Sequence, residues 1–304
     1  MERSFDIIPE FLSSRICKDY DLEYVNLIKK GYGVKRPLTL RVNNLKVKLE
    51  WVLNYFLENG IEFERVSWYE NALIIKNKQE DDLRKLDIYE KGYIYFQSLS
   101  SMLPPLFMDF KANDQILDMT AAPGGKTTEL AALSNNSVLI TAVEKNKIRV
   151  ERLKYNIEKQ GAKRVAILQT DARFLDEYFM FDKILLDAPC SGSGTLFLDE
   201  EISQKISEEL IVRSIEVQKI LLSNAIKHLK ENGEIIYSTC SILKEENEKV
   251  LQAVLKDNPN IEIVPLDLDN YKDLPLLPVL LPGTLCVVPN EYYEGFFVAK
   301  LLKK

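Results

Sequence analysis

From Asn113 onward the sequence alternates between apolar runs of strand length and segments with helical spacing, and that alternation leaves few folds open. Gln115–Met119, Val138–Val143, Arg164–Leu168, Lys183–Asp187 and Glu234–Tyr237 read as strands. Thr127–Leu133, Asn146–Lys159, Ile206–Leu229 and Lys244–Lys256 read as the helices between them, with Gly161, Gly233 and Pro259 as stops. Strands separated by helices pair in parallel, because a tight hairpin joins only antiparallel neighbours. The expected class is therefore α/β, a mostly parallel, doubly wound sheet. Gly283–Val288 and Gly295–Leu301 read as two closing strands.

In such a sheet a ligand binds at the carboxyl ends of the strands, and here four of those ends are acidic. Asp118 opens the small-residue loop Met119–Gly125, whose backbone amides lie at the start of the next helix. Glu144 follows roughly 20 residues past the glycines, where a nucleoside-binding sheet places an acid on ribose hydroxyls. Asp171, in QTDAR, is placed to accept from an adenine amino group, and Asp187 ends the fourth strand. After Asp187 come Pro189, the thiol of Cys190 and a Ser/Gly run, in LLDAPCSGSG. That loop reads either as a turn around a buried cysteine or as a site for covalent chemistry. Two cofactor classes compete for the acids. APGGKTT looks like a phosphate-binding loop, but the pattern ending in Gly125-Lys126-Thr127 requires Gly where the chain has Thr120. Carboxylates beside phosphates also repel. S-adenosylmethionine, with ribose, adenine and a cationic sulfur, suits four acids. A nucleotide-binding protein or NTPase remains the alternative.

The portion before residue 111 has a different texture. Leu22–Lys30 reads as a helix broken at Gly31-Tyr32-Gly33, Leu38–Val42 as a strand, and Leu45–Leu57 as a helix. Ile61–Trp68 and Ala72–Lys76 read as two strands joined by a polar turn. This is a small α+β module, linked onward by Tyr93–Phe110, where Pro104-Pro105 argues against a long regular helix. The expected division is residues 1–110 and 111–304. The chain's net charge of −6 hides a window from Lys29 to Lys48 with seven cations and no acid, so the remainder is −13. Lys29, Lys30, Lys35, Arg36 and Arg41 in that window are candidate RNA contacts, or else a solvated face. Tyr32, Trp68 and Tyr69 are candidates for stacking on bases, or else core.

The 304 residues, 46% hydrophobic and 28% charged, fit a globular protein with ample core. No apolar run spans a bilayer and the start, MERSFDIIPEF, lacks a signal-peptide core, so a cytoplasmic, non-membrane protein is expected. Cys17, Cys190, Cys240 and Cys286 lie far apart with no CxxC, which disfavours a metal site or a disulfide framework. The one histidine, His228, reads as a surface or capping residue. Catalysis then falls to Cys, Asp, Glu or Lys.

The chain resembles the RNA (cytosine-5)-methyltransferases of the Nop2/Sun (RsmB/NOP) family. The matching segments are LDMTAAPGGKTTELAAL, AVEKNKIRVERLKYNIEKQG, QTDAR, DAPCSGSGT, VQKILL, IIYSTCSILKEENEKVL and EGFFVAKL, with RVNNLK and QSLSSMLPPL upstream. The resemblance covers the chain from about Leu38 to its end, and DAPCSGSG followed downstream by STCS is its specific part. It implies a Rossmann-like S-adenosylmethionine-dependent methyltransferase sheet, antiparallel at its final strand, behind an N-terminal RNA-binding module. By the same resemblance Cys240 is the nucleophile, Cys190 serves product release, Asp187 holds the cytosine and helps activate the thiol, and Lys126 contacts the base or stabilises charge during attack. Thr120, Ala121, Ala122, Pro123, Gly124, Gly125, Lys126, Glu144, Arg149, Asp171 and Asp187 are implied to line the cofactor site. Cys286 stands where such relatives often carry Arg; like Cys17 it is expected to be a buried, inert thiol. The chemistry agrees with a thiol at this position. Carbon 5 of a pyrimidine is a poor nucleophile, and thiolate addition at carbon 6 converts it to an enamine. The expected substrate is transfer RNA, with ribosomal RNA second, and the expected state a monomer without metal.

Overall fold

The computed structural model describes residues 8–197 and 206–304; residues 1–7, part of the stretch read as lacking a signal-peptide core, lie outside that description. Two helices open it, α1 (Glu10–Asp19) and α2 (Leu22–Tyr32). A small unit follows: β1 (Leu38–Val42), α3 (Leu49–Glu58), β2 (Phe63–Arg65), β3 (Ala72–Ile75), α4 (Glu80–Arg84), α5 (Asp87–Glu90) and β4 (Ile94–Phe96). Its four strands form an antiparallel sheet in the order β2-β3-β1-β4. Helix α6 (Leu99–Leu106) leads into the main body. That body comprises β5 (Gln115–Asp118), α7 (Gly125–Leu133), β6 (Leu139–Val143), α8 (Lys147–Gln160), β7 (Val165–Leu168), β8 (Phe181–Asp187), α9 (Glu208–Lys227), β9 (Leu229–Thr239), α10 (Glu248–Lys256), β10 (Ile261–Val264), β11 (Leu285–Val287) and β12 (Phe296–Lys303).

The large sheet runs β10-β12-β9-β8-β5-β6-β7, with β11 also paired to β12. The run from β9 to β7 is parallel, as the alternating pattern requires, and β10, β11 and β12 are antiparallel. The antiparallel part is thus larger than one final strand. Alternate residues of each strand serve two cores. Leu117, Ile184, Leu186, Ile235 and Tyr237 pack beneath α1, α2 and α9. Ile116, Leu185, Ile236 and Phe296 pack with Leu99, Met102 and Leu103 of α6 and Leu130 of α7. Burial on both faces is why these strands read as unbroken apolar runs.

The packing divides the chain differently from a cut at residue 110. Leu12, Ile16, Val25, Ile28 and Tyr32 of α1 and α2 belong to the core of the large sheet, while the small sheet's own core draws on residues 38–96. Helix α2 also runs through Gly31 and Tyr32, where the sequence suggested a break. A Cβ on Gly31 would lie 1.8 Å from the Pro289 carbonyl oxygen, so this glycine permits close packing. Both prolines of α6 sit inside its last turn. Pro105 cannot donate to the Ser101 carbonyl, which instead accepts from Gln97 Nε2 at 3.1 Å. Helix α10 begins at Glu248, later than Lys244, because the intervening residues form a hydrogen-bonded turn. Among the described residues no helix is long and apolar enough to cross a membrane.

Candidate active site

The chain moves from β5 outward to β6 and β7, then returns to β8 and β9 on the other side. The topological switch therefore lies between β5 and β8, where a crevice opens beyond the strand ends. A cavity of about 340 Å³ fills it. Thr120, Ala122, Glu144, Arg149, Asp171, Asp187, Cys190 and Cys240 all line this cavity, so eight expected site residues from separate loops converge. Val217 and Leu221 of α9, both in the VQKILL segment but not expected there as site residues, add an apolar wall.

The acids are held in different ways. Glu144, buried at the end of β6, accepts from the Asn146 amide at 2.8 Å and pairs with Arg149 Nη1 at 3.2 Å. Arg149 Nη2 also donates to the Ala122 carbonyl, tying the β6 acid to the glycine loop. Asp171 accepts from Arg173 Nε at 3.0 Å and Nη2 at 2.6 Å, and from the Arg173 amide. These bonds, opposed by partial burial, bring its pKa down to about 2. Arg173, the last residue of QTDAR, is a further site residue, not among those expected from the sequence. Asp118 departs from the expected ladder. It is buried, accepts from Thr127 Oγ1 at 2.7 Å, and burial pushes its pKa up to about 6. It fastens the first turn of α7 and does not line the main cavity.

The glycine loop divides between two spaces. Ala121, Pro123, Gly125 and Lys126 line a neighbouring cavity of about 200 Å³, together with Gln97, Ser98 and Ser101. Gly124, at φ 107°, is the residue that turns the chain into α7, its backbone close against Leu153. Lys126 Nζ donates to Asp187 Oδ2 at 2.7 Å and to Ser101 Oγ at 2.8 Å. Burial alone would lower the lysine's pKa, but the Asp187 charge and hydrogen bond outweigh it and the net shift is upward. Asp187 Oδ1 accepts from Ser238 Oγ at 2.8 Å. A phosphate-loop lysine needs a free ammonium; here it is committed to a carboxylate, which counts against the nucleotide-binding alternative.

The two thiols of the cavity are adjacent. Cys190 Sγ and Cys240 Sγ lie 3.2 Å apart. The contact with Cys240, followed by burial, raises the Cys190 pKa well above the ordinary thiol value.

The basic window is only partly surface. Lys30 and Lys35 are exposed. Arg36 is half-buried and donates to the Tyr293 carbonyl at 2.8 Å. Arg41 is wholly enclosed: Nε donates to Gln97 Oε1 at 3.0 Å, and Nη2 to Thr128 Oγ1 at 2.6 Å and the Gly125 carbonyl at 3.1 Å. As an RNA contact Arg41 is corrected to a cation at the seam between the small sheet and α7. Tyr32, Trp68 and Tyr69 are likewise buried and stack on no solvent-borne base; Tyr32 OH donates to the Ser193 carbonyl at 2.6 Å. His228 caps α9 but is buried, with Nδ1 2.9 Å from the Phe179 carbonyl oxygen. Cys286 is buried as expected, whereas Cys17 is exposed on α1.

Comparison with known proteins gives a consistent set of relatives. Residues 105–302 match the family model of the 16S rRNA methyltransferase RsmB/F, and residues 8–80 match an RsmF/B-like ferredoxin-like domain. The ribosomal RNA small subunit methyltransferase F of Shewanella piezotolerans is 34% identical over 97% of this chain and 62% of its own length. The 25S rRNA (cytosine-C(5))-methyltransferase nop2 of Schizosaccharomyces pombe is 33% identical over 96% of this chain and 50% of its own. The chain thus spans only half to three fifths of these curated relatives. The crystal structure of PH0851 superposes with a TM-score of 0.88 at 34% identity, over 97% of this chain and 66% of that one.

Proposed function

The chain belongs to the RsmB/F methyltransferase family, and on that premise we propose that it methylates carbon 5 of cytosine in RNA, with S-adenosylmethionine as methyl donor. The observation that carries the reading is the pair of thiols 3.2 Å apart in the wall of a cavity that also holds Glu144, Asp171 and Asp187. A cavity of about 340 Å³ falls in the range of small-molecule sites. Its donor set fits the cofactor: carboxylates for ribose and adenine, and Val217 and Leu221 for an apolar ring. The lysine in its lining, Lys145, leans toward an acid, with Nζ 3.7 Å from Asp171. Bound there, S-adenosylmethionine supplies an electrophilic methyl group.

The chain's own residues supply the rest. Cys240 is the nucleophile of the proposal, as the family resemblance implies, with Cys190 3.2 Å away beside it. The Cys240 thiolate adds to carbon 6 of the cytosine, and carbon 5 gains the electron density it needs to attack. Asp187, held by Lys126 and Ser238, presents a fixed carboxylate to the cytosine amino edge. After methylation a base takes the carbon 5 proton, the carbon 6–sulfur bond breaks and Cys240 leaves as thiolate; Cys190 is the neighbour that assists this release. The target base must leave its stack to reach a thiol at the base of a crevice. Lys29, Lys30 and Lys35 are proposed to meet the RNA backbone.

We rank ribosomal RNA ahead of transfer RNA, the reverse of the expectation from the compact build, because both curated relatives above are named as rRNA methyltransferases. The test is transfer of labelled methyl from the cofactor to bulk ribosomal and transfer RNA, followed by nucleoside analysis. Label in 5-methylcytosine is expected; its absence from the cytosines of both RNAs would overturn the proposal.

A further inference from the structure

We propose that Glu246 is a positioning residue for the thiol pair: one buried carboxylate binds together the two loops that carry Cys190 and Cys240 and so sets the distance between their sulfurs. The consequence for turnover rests on the methyl-transfer reading above; the geometric claim does not.

The thiols sit beyond the reach of the sheet that brings them near each other. Strands β8 and β9 pair in parallel only as far as Asp187 and Ser238. Beyond that pair β8 ends at once and β9 one residue later, at Thr239, so the ladder no longer fixes one chain against the other and both continue as loops. Ser191 directly follows Cys190, and Ser241 directly follows Cys240. Glu246 touches both. Its Oε1 accepts from the Ser191 amide at 2.7 Å; its Oε2 accepts from Ser191 Oγ and Ser241 Oγ, each at 2.6 Å. The side chain is wholly inaccessible to solvent.

The surroundings brace the acid itself. Tyr237 OH donates to the Glu246 carbonyl at 3.0 Å, and Asn247 Nδ2 donates to the Ser241 carbonyl at 2.9 Å. The loops also touch directly, through Ser193 Oγ and Ser241 Oγ at 2.8 Å and through the Gly194 amide on the Cys240 carbonyl at 3.0 Å. Burial drives the Glu246 pKa up, while Ser191 and Ser241 work to hold it down. Burying a carboxylate merely to fill space is unfavourable. One that accepts three hydrogen bonds from the residues adjoining two reactive thiols earns its position by orientation.

The test uses Glu246→Ala and Glu246→Gln in the full chain, with three readouts. The first needs no substrate. Diamide accepts two electrons and two protons, Cys190 and Cys240 each give up one of both, and a disulfide forms; its rate reports how often the sulfurs meet. Peptide mass analysis identifies the pair. The second is kcat and KM for methyl transfer, and the third is cofactor affinity by calorimetry. We expect Glu246→Ala to slow disulfide formation about tenfold and kcat about a hundredfold, the scale of an ångström of misplacement, with cofactor affinity within about twofold. Glu246→Gln keeps the shape and accepts from the amide, and the serine hydroxyls turn to accept from its NH2, so most of both rates returns. If Glu246→Ala fails to fold, Ser241→Ala removes one donor and gives an intermediate slowing of both rates. Wild-type oxidation and turnover in these variants would overturn the inference. A wild-type protein that methylates no RNA yet forms the disulfide in a Glu246-dependent way would instead sink the functional reading and leave the clamp standing.

Discussion

At the scale of single residues the thiol pair gives the sharpest expectation. Cys240→Ser removes the proposed nucleophile and is expected to abolish methyl transfer, a loss of at least about a thousandfold. Cys190→Ser leaves attack intact and impairs release, so a covalent RNA–protein adduct accumulates and is seen as a shifted band on a denaturing gel. An adduct that requires Cys190 and forms without Cys240 would exchange the two roles. Glu129 supports a second prediction. Burial pushes its carboxyl from an ordinary 4.5 to about 8, against Arg41 and Gln97, which pull it down. Below about 4.5 the folded and unfolded chains both hold this proton and its full contribution is present. Between there and about 8 only the folded chain holds it, so stability falls as pH rises, by up to about 1.4 kcal/mol per unit. Glu129→Gln carries no such proton. Urea unfolding should therefore show the variant gaining on wild type from about pH 5 to about pH 9, and parallel curves would mean that Glu129 is ionised in both states. The residues legible in the sequence were those whose chemistry is local: an acid at a strand end, a thiol after Pro189. Glu246 and Arg41 were not, because their roles depend on Ser191, Gln97 and Thr128, which only folding brings close. Arg41 reads as one more cation of a basic window until Gln97 and Thr128 enclose it.

At the scale of elements, period and punctuation located the parallel strands within a few residues, since both faces of each are covered and few polar residues interrupt them. Breakers were the misleading signals. Glycine and proline carry a backbone meaning in sequence, but Gly31 and Pro105 answer to tertiary neighbours, Pro289 and Gln97. Gly31 gives a clean test. In Gly31→Ala the new Cβ meets the Pro289 backbone at 1.8 Å, with nothing flexible to give way. Urea unfolding is expected to show a loss of roughly 1–3 kcal/mol, the usual cost of overpacking. In Gly33→Ala the nearest atom is the Lys30 carbonyl oxygen at 3.5 Å, an ordinary separation, and the change should stay within about 0.5 kcal/mol. Equal effects at both positions would show that helix propensity, and not the approach of the 289 segment, governs this turn.

At the scale of the whole molecule, the average charge of −6 gives little sign of how RNA would be met. The seven cations between Lys29 and Lys48 read as one face, but folding distributes them. Arg41 goes to the seam, Arg36 to the Tyr293 carbonyl, and Lys46 Nζ to the carbonyls of Lys91 and Lys159 at 3.0 Å and 2.6 Å. Exposed Lys30 and Lys35 lie near the end of α2 and just beyond it, and the Tyr32 of that helix reaches Ser193 in the loop of Cys190. Lys30 and Lys35 thus stay at the surface, whereas Arg41 holds the small sheet against α7. This gives the two groups opposite signatures. For a single strand, each phosphate that the protein no longer neutralises lowers the slope of log affinity against log salt by about 0.7. Lys30→Gln with Lys35→Gln should weaken RNA binding at low salt and flatten that slope by about 1.4, with no change in unfolding free energy beyond about 0.5 kcal/mol. Arg41→Met should do the reverse, costing stability through the Gln97 and Thr128 bonds it breaks while leaving the salt slope alone. Filter binding across a salt series separates the cases, and an unchanged slope in the double lysine variant would remove Lys30 and Lys35 from the RNA interface.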